Sequence, residues 1–478
     1  MNRSSNTSIN PHRLRVVPST LFPSRLLLLT CVLCLVAFNG AAKSAGAETF
    51  QEAQAAFSKQ QYDQALQLLE SLERGGKVTA DIRRLKIKTL AKSGKPLDAL
   101  AEYENLTQPG GKDDGPLLRE VALGFITLLL KDMRDQMRGA AFTALKEVES
   151  EETVPYFEDG LSDGSGMVRA LAVEGLGQLK MGQRSPRLKQ ALEDQAAFVR
   201  ANALKALART GDPAIVSVAK KYLSDEQPSV RVAAAGALAL LNQPQGWTRL
   251  RESGQSSNPD ESSAALLMLG FLQDTTSLPA LETALSHRQP SVRAAAAAGL
   301  GNLGEKKAGP ALVKALHDPI PGVRGAAVIS LGKLQYRDAL PALKKSLTDQ
   351  NPGVRADAVS VLLEFGVPYD DVVGVVRELM NDKSPHVRGR VARSLVKTRD
   401  KFVRDAVGTL QLLLQDPLPA PRVMAARALG HIKSKQAGSL LKQALHDQDE
   451  AVRATAAGAL IRWLDGKAGI GKGEPAEG

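Results

Sequence analysis

Cysteine is nearly missing from this chain of 478 residues: the two present, Cys31 and Cys34, share one short apolar run. Everything after that run is free of thiols, which excludes disulfides, thiolate metal clusters and cysteine nucleophiles there. Aromatic residues are also scarce, at 4%. Without bulky rings the core must be filled by the abundant Ala, Leu and Gly, a composition suited to helices in close contact. Histidine is thin as well, with six in all and five after the apolar run: His287, His317, His386, His431 and His446. No Gly-rich phosphate loop, nucleophile elbow or Ser/His/Asp set in recognisable context is present. The expectation is a chain with no catalytic residue, no cofactor and no metal.

A surplus of positive charge is present only in part. The formal charge is +11, but Arg3, Arg13, Arg15, Arg25 and Lys43 all lie before residue 48, where there is no acid. The rest carries 57 of the 62 basic residues against all 51 acids, an ordinary balance that gives no footprint for nucleic acid. The basic lead runs into Leu26–Phe38, LLLLTCVLCLVAF, and then small residues ending Ala45-Gly46-Ala47. Thirteen apolar residues suit a secretory signal core, whereas a membrane span needs about 20. Residues 1–47 are therefore expected to be a signal peptide that exports the chain, with the periplasm as destination. The competing expectation is an inner-membrane anchor formed by residues 26–47.

What fills most of the chain is a repeat. Arginine recurs at Arg138, Arg169, Arg200, Arg231, Arg293, Arg324, Arg355, Arg388, Arg422 and Arg453, with Ser262 at the one missing position. The steps are 31 residues, except for 33 and 34 around Arg388. Eleven copies of one unit mean a stacked array and not a single globule. Three residues after the arginine stands a small residue, from Ala141 to Ala456, with Val391 the one larger member. Seven after it stands leucine every time, from Leu145 to Leu460. At 100° per residue the two positions share a helical face, so they mark the buried stripe of a helix. Six before the arginine stands aspartate: Asp132, Asp163, Asp194, Asp225, Asp318, Asp349, Asp382, Asp416 and Asp447. Proline between the two, as at Pro228, Pro290, Pro352 and Pro385, fits the first turn of a helix, where its missing N–H costs nothing.

This Asp-x5-Arg unit with its trailing Ala and Leu closely resembles the HEAT repeat, in particular the short HEAT-like form of phycobilisome lyases. The resemblance covers about 116–465 and implies an all-α superhelix of eleven helical hairpins. It also implies that the aspartates and arginines form a structural ladder between neighbouring turns. Upstream, Ala65 and Ala99 stand 34 residues apart, with Leu69 and Tyr103 four further on. The pattern resembles the tetratricopeptide repeat and implies two helical hairpins over 48–107. Residues 108–115, QPGGKDDG, read as a linker, and 466–478 as a disordered tail.

Enzymes occur on this scaffold, so the competing reading is a phycobilin-lyase-like enzyme, an enzyme subunit or a metal-dependent oxidoreductase. One HEAT-repeat family hydroxylates a lysine derivative with irons held by His-Glu pairs. This chain has no His-Glu dipeptide, and its His317-Asp318 and His446-Asp447 use ladder aspartates. The favoured reading is a protein-binding scaffold. Residues two, five and nine after each arginine lie opposite the buried stripe and would line the hollow of a curved rod. Leu240, Leu267, Phe271 and Ile329 put apolar side chains there, and Arg390, Arg393, Lys397, Arg427, His431 and Arg462 make its C-terminal third basic. The expected partner is another protein, with a membrane surface or an acidic envelope polymer as a further contact.

Overall fold

A computed structural model describes residues 49–107, 113–398 and 402–466. The expected signal peptide, most of the linker and nearly all of the expected tail lie outside those residues. Among the described residues there are only helices and turns, and no helix is long and apolar enough to cross a membrane.

Eleven hairpins follow one another from Gly115 to Leu464, each with an outer and an inner helix. The inner helices carry the arginine stripe, for instance Ala197–Ala208 in repeat 3, Pro259–Phe271 in repeat 5 and Glu450–Leu464 in repeat 11. Seven of them begin on proline, three residues before the arginine position. All eleven leucines at position seven are at most 2% exposed, and all eleven residues at position three are 0% exposed. From repeat 2 to repeat 9 the outer helices are shorter than the inner ones or broken, and several run into a 3-10 turn, as at Pro186–Gln190 followed by Ala191–Glu193.

Successive inner helices touch along their length because small residues meet between them. A Cβ on Gly270 would lie 2.2 Å from the backbone oxygen of Gly299, and one on Gly177 would lie 2.8 Å from Ala206 Cβ. Only glycine allows backbones so close. Seven inner helices leave in a left-handed residue eleven after the arginine position, filled by Gly211, Gly304 and Gly366 but also by Glu149, Asn242, Gln273 and Gln335.

The array does not end as an open rod: it closes. The inner helix of repeat 11 packs on both helices of repeat 1, Gly115–Leu129 and Asp135–Val148, as any inner helix packs on the next repeat. At this seam a Cβ on Gly458 would lie 2.7 Å from Ala144 O. Repeat 11 is followed by repeat 1 in the same rotational sense, so each repeat contributes about 33° to a complete turn. Eleven inner helices spaced 8–10 Å apart place their axes on a circle roughly 30 Å across, leaving an opening of roughly 20 Å.

Four helices between Phe50 and Thr107 form two hairpins that lean on the outer helix of repeat 1. Ala65, Ala99, Leu69 and Tyr103 are fully buried within them. Ala91 lies against Gly124, where an added Cβ would be 3.0 Å from the Ala91 oxygen. On the other flank Lys442 Nζ is 3.0 Å from Asp113 and His446 Nε2 is 3.0 Å from Glu104. The N-terminal hairpins thus bridge the outside of the seam.

Candidate interaction surface

Two constructions stand out: the charge ladder on one rim of the ring and the side chains that face its opening. In the ladder each arginine serves two turns. Arg169 Nη1 donates to the carbonyl of Asp163 in its own turn at 2.8 Å. Its Nε and Nη2 donate to both carboxylate oxygens of Asp194 in the next turn at 2.5 and 2.8 Å. Asp194 Oδ1 also accepts the N–H of Ala196, fixing the turn from which the inner helix starts. The same two-pronged rung joins Arg138 to Asp163, Arg200 to Asp225, Arg293 to Asp318, Arg324 to Asp349, Arg388 to Asp416 and Arg422 to Asp447. The arginine hydrogen bonds hold Asp194, Asp318, Asp349 and Asp416 below the usual carboxylate range, against the opposing pull of burial.

Three rungs differ. Repeat 5 has Ser256 where the aspartate belongs, and Arg231 reaches Glu261 instead at 2.7 Å. Where the repeat lengthens, Arg355 turns to Glu378 at 2.8 Å, while Asp382 accepts the Ser384 N–H. At the seam Asp132 is held by Arg134 of its own turn, and Arg134 crosses to Glu450 at 2.5 Å. Arg453 lies 3.9 Å from that same Glu450, so the closing rung is a relay of four charges. Among the described residues no three His, Cys, Asp or Glu side chains gather as metal ligands would.

Facing the opening, Leu240, Leu267 and Phe271 are 39%, 39% and 55% exposed and come together in one recess of about 470 Å³. Its floor is lowered by Ala233, Gly236 and Ala264, and Phe198, 46% exposed, forms one wall. Ile329, 42% exposed, stands apart in a second hollow with Lys333, Asp357 and Arg390. Phe198 was not singled out from the sequence because it precedes its arginine by two. That position nevertheless projects at the same angle as two, five and nine after it, and this is the signal that would have found it.

The six basic positions have several fates. Arg393 is exposed, but Arg390 pairs with Asp357 at 2.5 Å and Lys397 with Glu364 at 3.6 Å. Arg427 and His431 lie 3.6 and 3.2 Å from Glu147, and Arg462, only 6% exposed, lies 3.1 Å from Glu149. Both acids belong to repeat 1, so these three side chains are engaged in closing the ring. Burial opposes the ionised form of Glu147, yet the hydrogen bond from His431 and the two arginines hold it below the usual range.

The chain matches the family described as HEAT repeats over residues 122–200, 185–270, 248–321, 278–363, 347–408 and 406–469. No curated protein matches it by sequence. Among solved structures it is similar to CpcE and CpcF of phycocyanin lyase from Nostoc sp. at 24% identity, covering 47% of this chain and 92% of that one, with a TM-score of 0.32. It is similar to human deoxyhypusine hydroxylase at 20% identity, covering 52% and 95%, with a TM-score of 0.26. A mutant of Kap121p aligns at 15% identity over 84% of this chain and 54% of that one, with a TM-score of 0.37. With the matches running across all eleven hairpins, the chain belongs to the HEAT-repeat family.

Proposed function

We propose that this protein is an exported, non-enzymatic scaffold that holds a partner polypeptide against the inner face of its ring. The observation that carries the reading is the set of large apolar side chains turned into the opening at Phe198, Leu240, Leu267 and Phe271. Nothing in the fold requires them there, since the equivalent positions of repeat 6 are Ala295, Ala298 and Asn302. Exposed apolar groups clustered in a concavity are the usual mark of a surface that another chain covers. Export rests on the sequence before Glu48; N-terminal sequencing of the protein recovered from the cell envelope should begin at that residue.

Pull-down from envelope extracts tests the scaffold. Wild type should retain partner proteins that the double variant Leu267→Asp/Phe271→Asp loses, with both proteins equally helical. Equal recovery by the two would remove the inner face as the interface. Elemental analysis of the purified protein bears on the non-enzymatic part, since a transition metal at one equivalent would count against it.

A further inference from the structure

The recess between repeats 3 and 5 has an electrostatic character that its apolar floor does not show. Its lining contains two charged residues, Lys205 and Arg209, both positive and both on the repeat 3 side. Among the described residues Lys205 makes no ion pair. The acid nearest it, Glu174, is taken up by Lys146 at 2.5 Å and by Asn202 at 3.1 Å. Arg209 spends one nitrogen on the carbonyl of Gly177, at 3.0 Å. Lys205 and Arg209 are both exposed where they line the recess, and Lys205 reaches it with no ion-pair partner among the described residues. Its surroundings lower its pKa, first through loss of water and then through Arg209, with Glu174 opposing. On the repeat 6 side, Asn302 Oδ1 accepts from Lys333 Nζ at 2.7 Å, so no acid stands among the lining residues on either side.

We infer that this recess binds a polypeptide segment that places large apolar side chains on Leu240, Leu267 and Phe271 and a carboxylate on Lys205 and Arg209, one repeat from Leu240 and two from Leu267 and Phe271. The inference rests on the proposed scaffold reading and gives its partner a chemistry. One repeat is about 9 Å wide, which an extended chain crosses in roughly three residues. The expected motif is an aromatic or leucine with Asp or Glu roughly three to six residues before or after it, for an offset of one to two repeats. An opening of roughly 20 Å accepts an extended strand or a single helix but not a folded domain.

A random peptide library displayed on phage, selected on the full-length mature protein, supplies the probe. Selected peptides should be enriched in an acid roughly three to six residues from an aromatic or leucine, and the synthetic peptide should bind Lys205→Glu/Arg209→Glu about tenfold or more weakly than wild type. A peptide with Lys in place of its acid should show the reverse preference. Helicity and melting temperature of the variant are measured alongside, and a folded variant keeps the comparison valid. Selection of no peptide, of peptides without an acid, or of peptides that bind the charge-reversed protein equally well would overturn the assignment. If Leu267→Asp/Phe271→Asp abolishes partner recovery while charge reversal changes nothing, the scaffold stands and the acidic-apolar partner falls. If neither substitution matters, both fall together.

Discussion

Asp194 shows how much one side chain carries. It takes both prongs of Arg169, anchors its own turn through the Ala196 N–H, and has a side chain 10% exposed, like that of its arginine partner. Replacing it by asparagine leaves a largely buried guanidinium without its counter-charge and without one of its four acceptors, and breaking a buried pair on one side costs about 3–5 kcal/mol. Urea denaturation of Asp194→Asn should show that loss. The pH dependence follows from the lowered carboxylates. Because the folded values of Asp194, Asp318, Asp349 and Asp416 lie below the unfolded value of about 3.9, their contribution is full above that pH and is lost as pH falls through the folded values. Denaturation midpoints should therefore drop in this acid window, and less steeply in Asp194→Asn/Asp318→Asn than in wild type.

At the scale of the helix, the ends hold unrealised stability. Gln273 adopts φ 57°, at the place where repeat 6 uses Gly304 with φ 82°. Left-handed backbone costs a residue with a Cβ about 1 kcal/mol, so Gln273→Gly should raise the melting temperature and Gly304→Ala should lower it. Gly304 has open space around its Cβ position, so the second change reads conformation alone. The inner helices were legible from the sequence because small residue, leucine and arginine recur at one angle around the axis. The outer helices were less so: a segment such as Pro186–Gln190 has too few turns to show a period. The ladder was legible in its residues and, through the HEAT resemblance, in its running between neighbouring turns; its direction, from an arginine to the carboxylate of the following repeat, was not. The apolar recess was legible at Leu240, Leu267 and Phe271, whereas Phe198 lies on the other side of its arginine and was passed over.

At the scale of the whole molecule, closure is the feature that the periodic pattern concealed. A terminal repeat of an open array needs a polar outer face. The inner helix of repeat 11 instead reads Ala454, Thr455, Ala456, Ala457, Gly458, Ala459, Leu460 and Ile461, all buried. That all-round apolar helix, and the acids Glu147 and Glu149 at the opposite end of the array from Arg427, His431 and Arg462, were the available signs. Glu147→Lys puts a like charge against Arg427 and removes the acceptor of His431, and X-ray scattering should then show a larger radius of gyration with unchanged helicity. An unaltered radius would mean that apolar packing at Gly458 holds the seam unaided. A circle without a gap also changes what release means. A strand lodged within it has no sideways exit, so bulky ends would retain it by mechanical interlock, as an axle is kept in a wheel. An excess of competing peptide could not displace such a strand until the wheel was cut.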